Sequence, residues 1–312
     1  MVIKLIYPGF LIFCILISLK QSKKSPTLNI KSLMLIFAFY GGIWFLLTLI
    51  TLIQTPIPEP NNYEIQQSHI SQSKIDEFSH HPVEKLKSEC RYDHQENWEI
   101  PVLMYHHIQD NVDTSNPSAM LHTVSPANFG NQLDTITRQG YNPVTFYNVA
   151  ANCLPEKPVI ITLDDGYTDA FTQAFPALKA RNMVATFYIP TGLIGTPAYM
   201  DWSQVDELAA ANMELGAHSL THTNLKTASP ELQRAEILGS VADLKTNTGL
   251  DVVSFSYPFG EHDSPALQPL LSESGVKYAV IISRTNARND QNNLLIPRYL
   301  VDDDTVIEQI LR

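Results

Sequence analysis

Two short stretches carry side chains that could do chemistry together. Asp164 and Asp165 stand side by side in Thr162-Leu-Asp-Asp-Gly-Tyr-Thr-Asp-Ala170, right after the apolar run Pro158-Val-Ile-Ile-Thr-Leu163. Fifty residues on, His218-Ser-Leu-Thr-His222 offers two imidazoles four positions apart, after the strand-like Met213-Glu-Leu-Gly-Ala217. Two histidines and one aspartate make a facial ligand set for a divalent metal with positions open to water. The other aspartate is then free to act as a base on that water. The chemistry implied is metal-assisted hydrolysis. Each motif alone has an ordinary reading, since Asp-Asp-Gly favours turns and paired histidines occur on exposed faces. Together, each at the end of an apolar strand, they reinforce one another.

Elements able to hold these groups follow from the pattern around them. From residue 100, short apolar runs alternate with helical stretches. Strand-like segments are Pro101–His106, Val159–Leu163, Val184–Ile189, Glu214–His218, Val253–Tyr257, Tyr278–Ile282 and Leu294–Val301. Ser125 and Pro126 predict an N-cap and first helical position, with a stop at Gly140. Helices are also expected over Ala170–Arg181 and Ser203–Ala211, the latter with Ser203 and Asp206 as start signals. Ser229-Pro-Glu-Leu begins a long amphipathic helix that ends at Gly249. This alternation predicts an α/β domain of mostly parallel strands, and such sheets place chemistry at the strand C-termini. Both motifs sit there.

The remainder of the 312-residue chain bounds its setting. Residues 2–19 are apolar except for Lys4, and 33–53 carry no charge. About 20 apolar residues suffice to cross a bilayer. Lys20, Lys23, Lys24 and Lys31 lie at or between the runs and favour a cytoplasmic turn. Residues 1–55 are therefore expected to form a membrane hairpin of two transmembrane helices, 56–97 an extracytoplasmic linker and 98–312 the folded domain. A signal-peptide core over 1–19 is the rival reading. Residues 1–55 hold five lysines and no acid, so the remaining residues hold 16 basic and 32 acidic side chains, a net −16. That charge argues against a nucleic-acid partner. Cys90 and Cys153 fall in the outer part, where an oxidising compartment would let them pair; two free thiols are the alternative.

From about residue 100 to its end, the chain resembles the polysaccharide deacetylases, also called the NodB-homology domain or carbohydrate esterase family 4. Thr162-Leu-Asp-Asp-Gly166 matches the family's Thr-Phe-Asp-Asp-Gly motif, and His218–His222 its His-Ser/Thr-x-x-His motif. Val102-Leu-Met-Tyr-His-His107 and Tyr257-Pro-Phe-Gly260 resemble the branch that includes poly-N-acetylglucosamine deacetylases. The resemblance implies a distorted (β/α) barrel of about seven strands. It assigns Asp164 as general base and Asp165, His218 and His222 as ligands of a divalent metal, Zn2+ being usual. It implies an acetylated polysaccharide as substrate.

Two family motifs are incomplete here. Arg-x-Pro-x-Gly reads Ser256-Tyr-Pro-Phe-Gly260, so its Arg is missing, and Arg298 in Ile296-Pro-Arg-Tyr-Leu300 is the candidate replacement. No Leu-x-His segment near the C-terminus supplies a general acid. His106, with His107 as the other candidate, is the substitute. Trp202 in Met200-Asp-Trp, Tyr257 and Phe259 are candidates for contact with a sugar, core packing being the alternative for Trp202. The Phe259 N–H is a candidate oxyanion donor. The function implied is removal of acetyl groups from an N-acetylated glycan outside the membrane. O-acetyl esterase activity and a non-catalytic, membrane-tethered glycan-binding role are the alternatives.

Overall fold

In the computed structural model the described residues are 82–92, 97–110, 112 and 115–312. Seven parallel strands run in chain order: β1 (Val102–Tyr105), β2 (Pro158–Leu163), β3 (Thr186–Ile189), β4 (Glu214–Ala217), β5 (Ser254–Ser256), β6 (Tyr278–Ile282) and β7 (Ile296–Leu300). Each pairs with the next, and β7 pairs back onto β1. The sheet is therefore a closed barrel. The closure is uneven: β2 also carries a short parallel strand, Asn142–Val144, along its first half, and reaches β3 only at Thr162 and Leu163. In β1 to β4 every residue is buried, as expected for parallel strands covered on both faces.

The helices follow their sequence signals closely. Besides a short helix over Pro117–Leu121, they are in order α1 (Pro82–Glu89), α2 (Pro126–Arg138), α3 (Phe146–Ala151), α4 (Phe175–Lys179), α5 (Trp202–Ala210), α6 (Pro230–Thr248) and α7 (Leu267–Ser274). Ser125 caps α2 by accepting from Asn128 N–H, with Pro126 at the first position. Ser229 caps α6 in the same way, and Gly249 ends it at φ +69°. Three expectations change. The helix expected over Ala170–Arg181 opens with a π-helical turn, Ala170–Ala174, before α4. Asp201, not Ser203, caps α5, because its carboxylate reaches Gln204 N–H while the Gln204 side chain returns to Asp201 N–H. The buried face of α6 is not purely apolar: Gln233, Glu236 and Ser240 lie on it beside Ile237, Val241 and Leu244.

The expected membrane hairpin lies outside the described residues. Among those described, no helix is long and apolar enough to cross a membrane. Folded structure begins before residue 98. Helix α1, within the stretch read as linker, buries Val83 in the same apolar cluster as Val144, Phe146 and Val149. Cys90 and Cys153 are joined by a disulfide with Cα atoms 5.6 Å apart.

The barrel interior is partly polar. Glu214, at the start of β4, is fully buried. It accepts from the N–H groups of Phe146 and Tyr147 at the start of α3, from Thr186 Oγ1 and from Ser254 Oγ. The Tyr188 ring is fully buried against Gly216 on the neighbouring strand. A Cβ on Gly216 would lie 2.3 Å from that ring, so only glycine fits there. Arg298 and Asp164 lie beyond Tyr188, towards the strand C-termini, with the Arg298 Cζ 5.6 Å from the Tyr188 ring centre.

Candidate active site

Strand β2 ends at Leu163, and the chain then turns sharply. Asp165 and Gly166 both take left-handed backbone, at φ +71° and +65°. This is uncommon for an aspartate and aims consecutive carboxylates at different targets. Asp164 points inward and is 3% exposed. Asp165 meets the loop after β4: its Oδ1 lies 3.1 Å from His218 Nε2 and 3.1 Å from His222 Nε2. One ligand atom from each of these three residues falls within 4.8 Å of the others.

The donor set fits a divalent cation. His218 Nδ1 lies 2.7 Å from the Ser256 carbonyl. A carbonyl only accepts, so Nδ1 carries a proton and Nε2 faces Asp165, donating to it when the ring is protonated and free to ligate a cation when it is neutral, the usual arrangement of a metal-binding histidine. Burial opposes ionisation of Asp165. Its bonds to His218 and His222 outweigh that and hold the carboxyl well below the usual range. Burial and the nearby Asp165 carboxylate push the Tyr167 hydroxyl above its ordinary pKa.

Asp164 stays outside the ligand set because Arg298 holds it. The guanidinium binds both carboxylate oxygens at 2.7 Å. Arg298 is 1% exposed and also donates to Thr162 Oγ1 and Ser256 Oγ at 2.9 Å each. Ser256, at the position where the family motif has Arg, in turn donates to Asp164 Oδ2 at 2.9 Å. Arg298 thus reaches Asp164 from β7, while Ser256 stands at the motif position on β5. Burial tends to raise the Asp164 pKa. The charge and hydrogen bonds of Arg298, aided by His218 and His106, lower it below the ordinary value.

His106 follows β1. Its ring packs edge-on against His122, with centres 4.6 Å apart. Its Nδ1 is buried without a partner among the described residues. Burial pushes its pKa down to about 4, against the pull of Asp164 and Asp165. His107 is committed elsewhere: its Nδ1 lies 2.6 Å from Asp169 Oδ2 and its ring stacks on Tyr167 at 3.8 Å.

Of the residues expected to touch substrate, Phe259 is 58% exposed and stands 4.5 Å, ring to ring, from His222. Tyr257 is a correction. It is 1% exposed with its hydroxyl on the Leu294 carbonyl, so it packs inside the barrel wall. Trp202 opens α5 and packs against the main core, as in the alternative reading. Sequence reasoning gave no role to Ser256, Tyr167 or Asp169. Tyr167 and Asp169 lie in the same run as the paired aspartates, but nothing in that run says which of its side chains turn back to the site.

A closed parallel barrel with an Asp-His-His cluster and an Arg-held second aspartate at its C-terminal mouth defines a class of barrel hydrolase. Residues 151–279 match the family model described as polysaccharide deacetylase. YxkH of Bacillus subtilis (strain 168), named for that family, is 26% identical over 202 residues, which cover 65% of this chain and 71% of YxkH. The poly-beta-1,6-N-acetyl-D-glucosamine N-deacetylase of Staphylococcus aureus (strain MSSA476) is 23% identical over 210 residues, 61% of this chain and 72% of that protein. Among solved structures, Streptococcus pyogenes deacetylase PplD in complex with acetate superposes with a TM-score of 0.62 at 26% identity, covering 69% of this chain and 97% of that one. IcaB from Ammonifex degensii shares the fold, with a TM-score of 0.56 at 23% identity over 68% of this chain and 95% of that one. Over residues 151–279 the barrel is thus similar to the polysaccharide deacetylases.

Proposed function

We propose that this protein is a metal-dependent deacetylase that removes acetyl groups from an N-acetylated glycan outside the membrane. The observation that carries the reading is the convergence of Asp165, His218 and His222 beside an Asp164 that Arg298 keeps uncoordinated. A divalent ion in that cluster would supply Lewis acidity toward the acetyl carbonyl and lower the pKa of a water. Asp164 takes the proton of the attacking water. Its Oδ2 already accepts from Arg298 and Ser256, while Oδ1 accepts from Arg298 alone, leaving room for the proton on Oδ1. Phe259, exposed beside His222, offers a ring face to the sugar and its N–H to the developing oxyanion. His106 lies in the field of both aspartates and is the imidazole for protonating the departing nitrogen.

The substrate class is supported by the relatives, one of them named for de-N-acetylation of poly-beta-1,6-N-acetyl-D-glucosamine and another solved with acetate, the acid this reaction releases. An extracytoplasmic location is supported by the Cys90–Cys153 disulfide, a bond that persists in oxidising compartments. It agrees with the membrane hairpin expected over residues 1–55. The second reading, O-acetyl esterase activity, is favoured by the low His106 pKa, because an alkoxide leaves with less help from an acid than an amine does. A purely glycan-binding role is poorly supported, since Arg298 fills the place of the missing motif arginine.

The test is acetate release by the purified full chain from poly-N-acetylglucosamine, chitin oligomers, peptidoglycan and acetylated xylan, with added Zn2+ or Co2+. We expect turnover on an N-acetylated polymer that chelators and Asp164→Asn or His222→Ala abolish. Turnover that survives both chelation and Asp164→Asn would sink the proposal.

A further inference from the structure

Helix α6 contains a buried carboxylate that the chemistry does not use. Glu236 is 3% exposed, and among the described residues no Lys, Arg or His forms an ion pair with it. Burying a carboxylate costs free energy unless donors meet it. The donors that meet Glu236 come from the loop that carries His218 and His222. Thr221 N–H reaches Oε2 at 2.8 Å, and Thr221 Oγ1 reaches Oε1 at 2.6 Å. Thr223 Oγ1 reaches Oε1 at 3.3 Å and lies 2.8 Å from Thr221 Oγ1. Glu236 thus grips the residues on both sides of His222.

The same face of α6 holds the rest of the loop. One turn on, a Cβ at Gly239 would fall 2.8 Å from Leu220 Cδ1, so the helix surface is hollowed where Leu220 rests. A further turn on, Asp243 Oδ2 accepts from Thr191 Oγ1 at 2.9 Å. The N–H groups of Thr191 and Gly192 donate to the carbonyls of Ser219 and Leu220 at 3.3 and 2.8 Å. Positions 236, 239 and 243 share a helix face by their spacing. The loop they hold is not relaxed: Ser219 and His222 are non-glycine residues at φ +62° and +57°. Left-handed backbone of this kind is strained for a residue with a Cβ and persists only where surroundings over-determine it.

We infer that α6 is a clamp for the metal loop and that Glu236 is a positioning residue that sets His222 in its ligating place. The inference rests on the reading of Asp165, His218 and His222 as a metal site. Its consequence is metal affinity: a loop already held in its strained shape loses less entropy on binding an ion than one that must be ordered.

The experiment measures Zn2+ affinity of the metal-free full chain by competition with a chromophoric chelator, alongside its thermal unfolding. Groups that orient ligands from behind typically contribute about 10- to 100-fold in metal affinity, and Glu236→Ala is expected to weaken Zn2+ binding by that factor. Glu236→Gln, whose amide oxygen can still accept Thr221 N–H, should recover part of the loss. Thr221→Val sits at an exposed position and removes the 2.6 Å bond without threatening the fold. It should weaken Zn2+ binding several-fold while lowering the metal-free unfolding temperature less than Glu236→Ala does, since Thr221 N–H and Thr223 Oγ1 still meet the carboxylate. Wild-type affinity in both Glu236→Ala and Thr221→Val overturns the clamp. So does a loss confined to Glu236→Ala that only tracks a fall in its metal-free stability. A wild-type chain that binds no divalent ion overturns the metal reading itself, and the clamp with it.

Discussion

Arg298 and Asp164 form a pair that neither residue could replace in kind. To stay ionised inside the barrel Asp164 draws on a counter-charge, and the guanidinium fork meets both of its oxygens while also binding Thr162 and Ser256. Lysine would keep the charge and lose the fork. Losing one charge-assisted hydrogen bond costs about 1.5–3 kcal/mol, so Arg298→Lys is expected to lower kcat roughly 10- to 100-fold. The direction of the pH effect follows from the same geometry. Asp164 works ionised, and Arg298 is what overcomes the effect of burial on its pKa. A weaker partner lets that pKa rise, so the acid limb of the kcat/KM profile moves to higher pH in Arg298→Lys. A profile that superimposes on the wild type would reduce Arg298 to packing. His106 makes a separate prediction. An amine leaving group needs a proton that an alkoxide can do without, so an acid role for His106 predicts a loss that depends on the substrate. His106→Ala should therefore cost far more turnover on an N-acetyl sugar than on an O-acetyl ester of the same ring. Equal losses on the two would remove it from the acid role.

The elements differ in how openly the sequence declares them. Ser125-Pro126 and Ser229-Pro230 announce their helices because a capping hydroxyl followed by proline is a local device needing no tertiary partner. The strands and the two ligand motifs are legible for a similar reason, since apolar runs mark the barrel wall and the chemistry sits at their ends. Helix α1 is hidden because a single buried residue, Val83, docks it in an otherwise polar stretch. Tyr257 misleads because an aromatic next to a site motif looks the same whether it faces sugar or core. Arg298 is legible by position, but the Ser256 that joins it on Asp164 shows only in three dimensions, as do the contacts of Glu236 with Thr221 and Thr223 and those of Glu214, whose partners lie far along the chain. Glu214 joins β4 to the start of α3 and carries a prediction at this scale. Burial pushes its pKa from the ordinary 4.5 to about 7, although its bonds to Ser254, Phe146, Thr186 and Tyr147 pull the other way. Between those values the folded chain keeps a proton that the unfolded chain has lost, so this residue's contribution to stability falls as pH rises from 4.5 to about 7. Glu214→Gln does not titrate. Across that window its stability relative to wild type should rise by up to about 3 kcal/mol. Urea unfolding of both proteins at several pH values measures the difference, and parallel curves would show that Glu214 keeps its charge throughout.

At the scale of the molecule, the barrel has a working end and a fastened end. The carboxylates, imidazoles and Arg298 gather at the strand C-termini. At the opposite end the start of α3 rests on Glu214, and beyond α3 Cys153 is bonded to Cys90 after α1. The bond spans a sequence separation of 63 residues, which includes all of β1 and α2. Cross-linking a chain over that length restricts the unfolded ensemble, and losing such a bond typically costs about 2–4 kcal/mol. For a domain of this size each kcal/mol moves the midpoint by about 2–4 °C, so Cys153→Ser should unfold roughly 5–15 °C below the wild type. Reductant should lower the wild type by a similar amount and leave the variant unmoved. The two ends also make different demands on the chemistry. None of the hydrogen bonds that fix Asp164, Asp165, His218 or His222 passes through α1 or α3, so Cys153→Ser well below its midpoint should keep wild-type Zn2+ affinity and turnover. A variant that loses Zn2+ while still folded would show the fastening reaching through the barrel to the metal loop, and would break the separation of ends that this architecture implies.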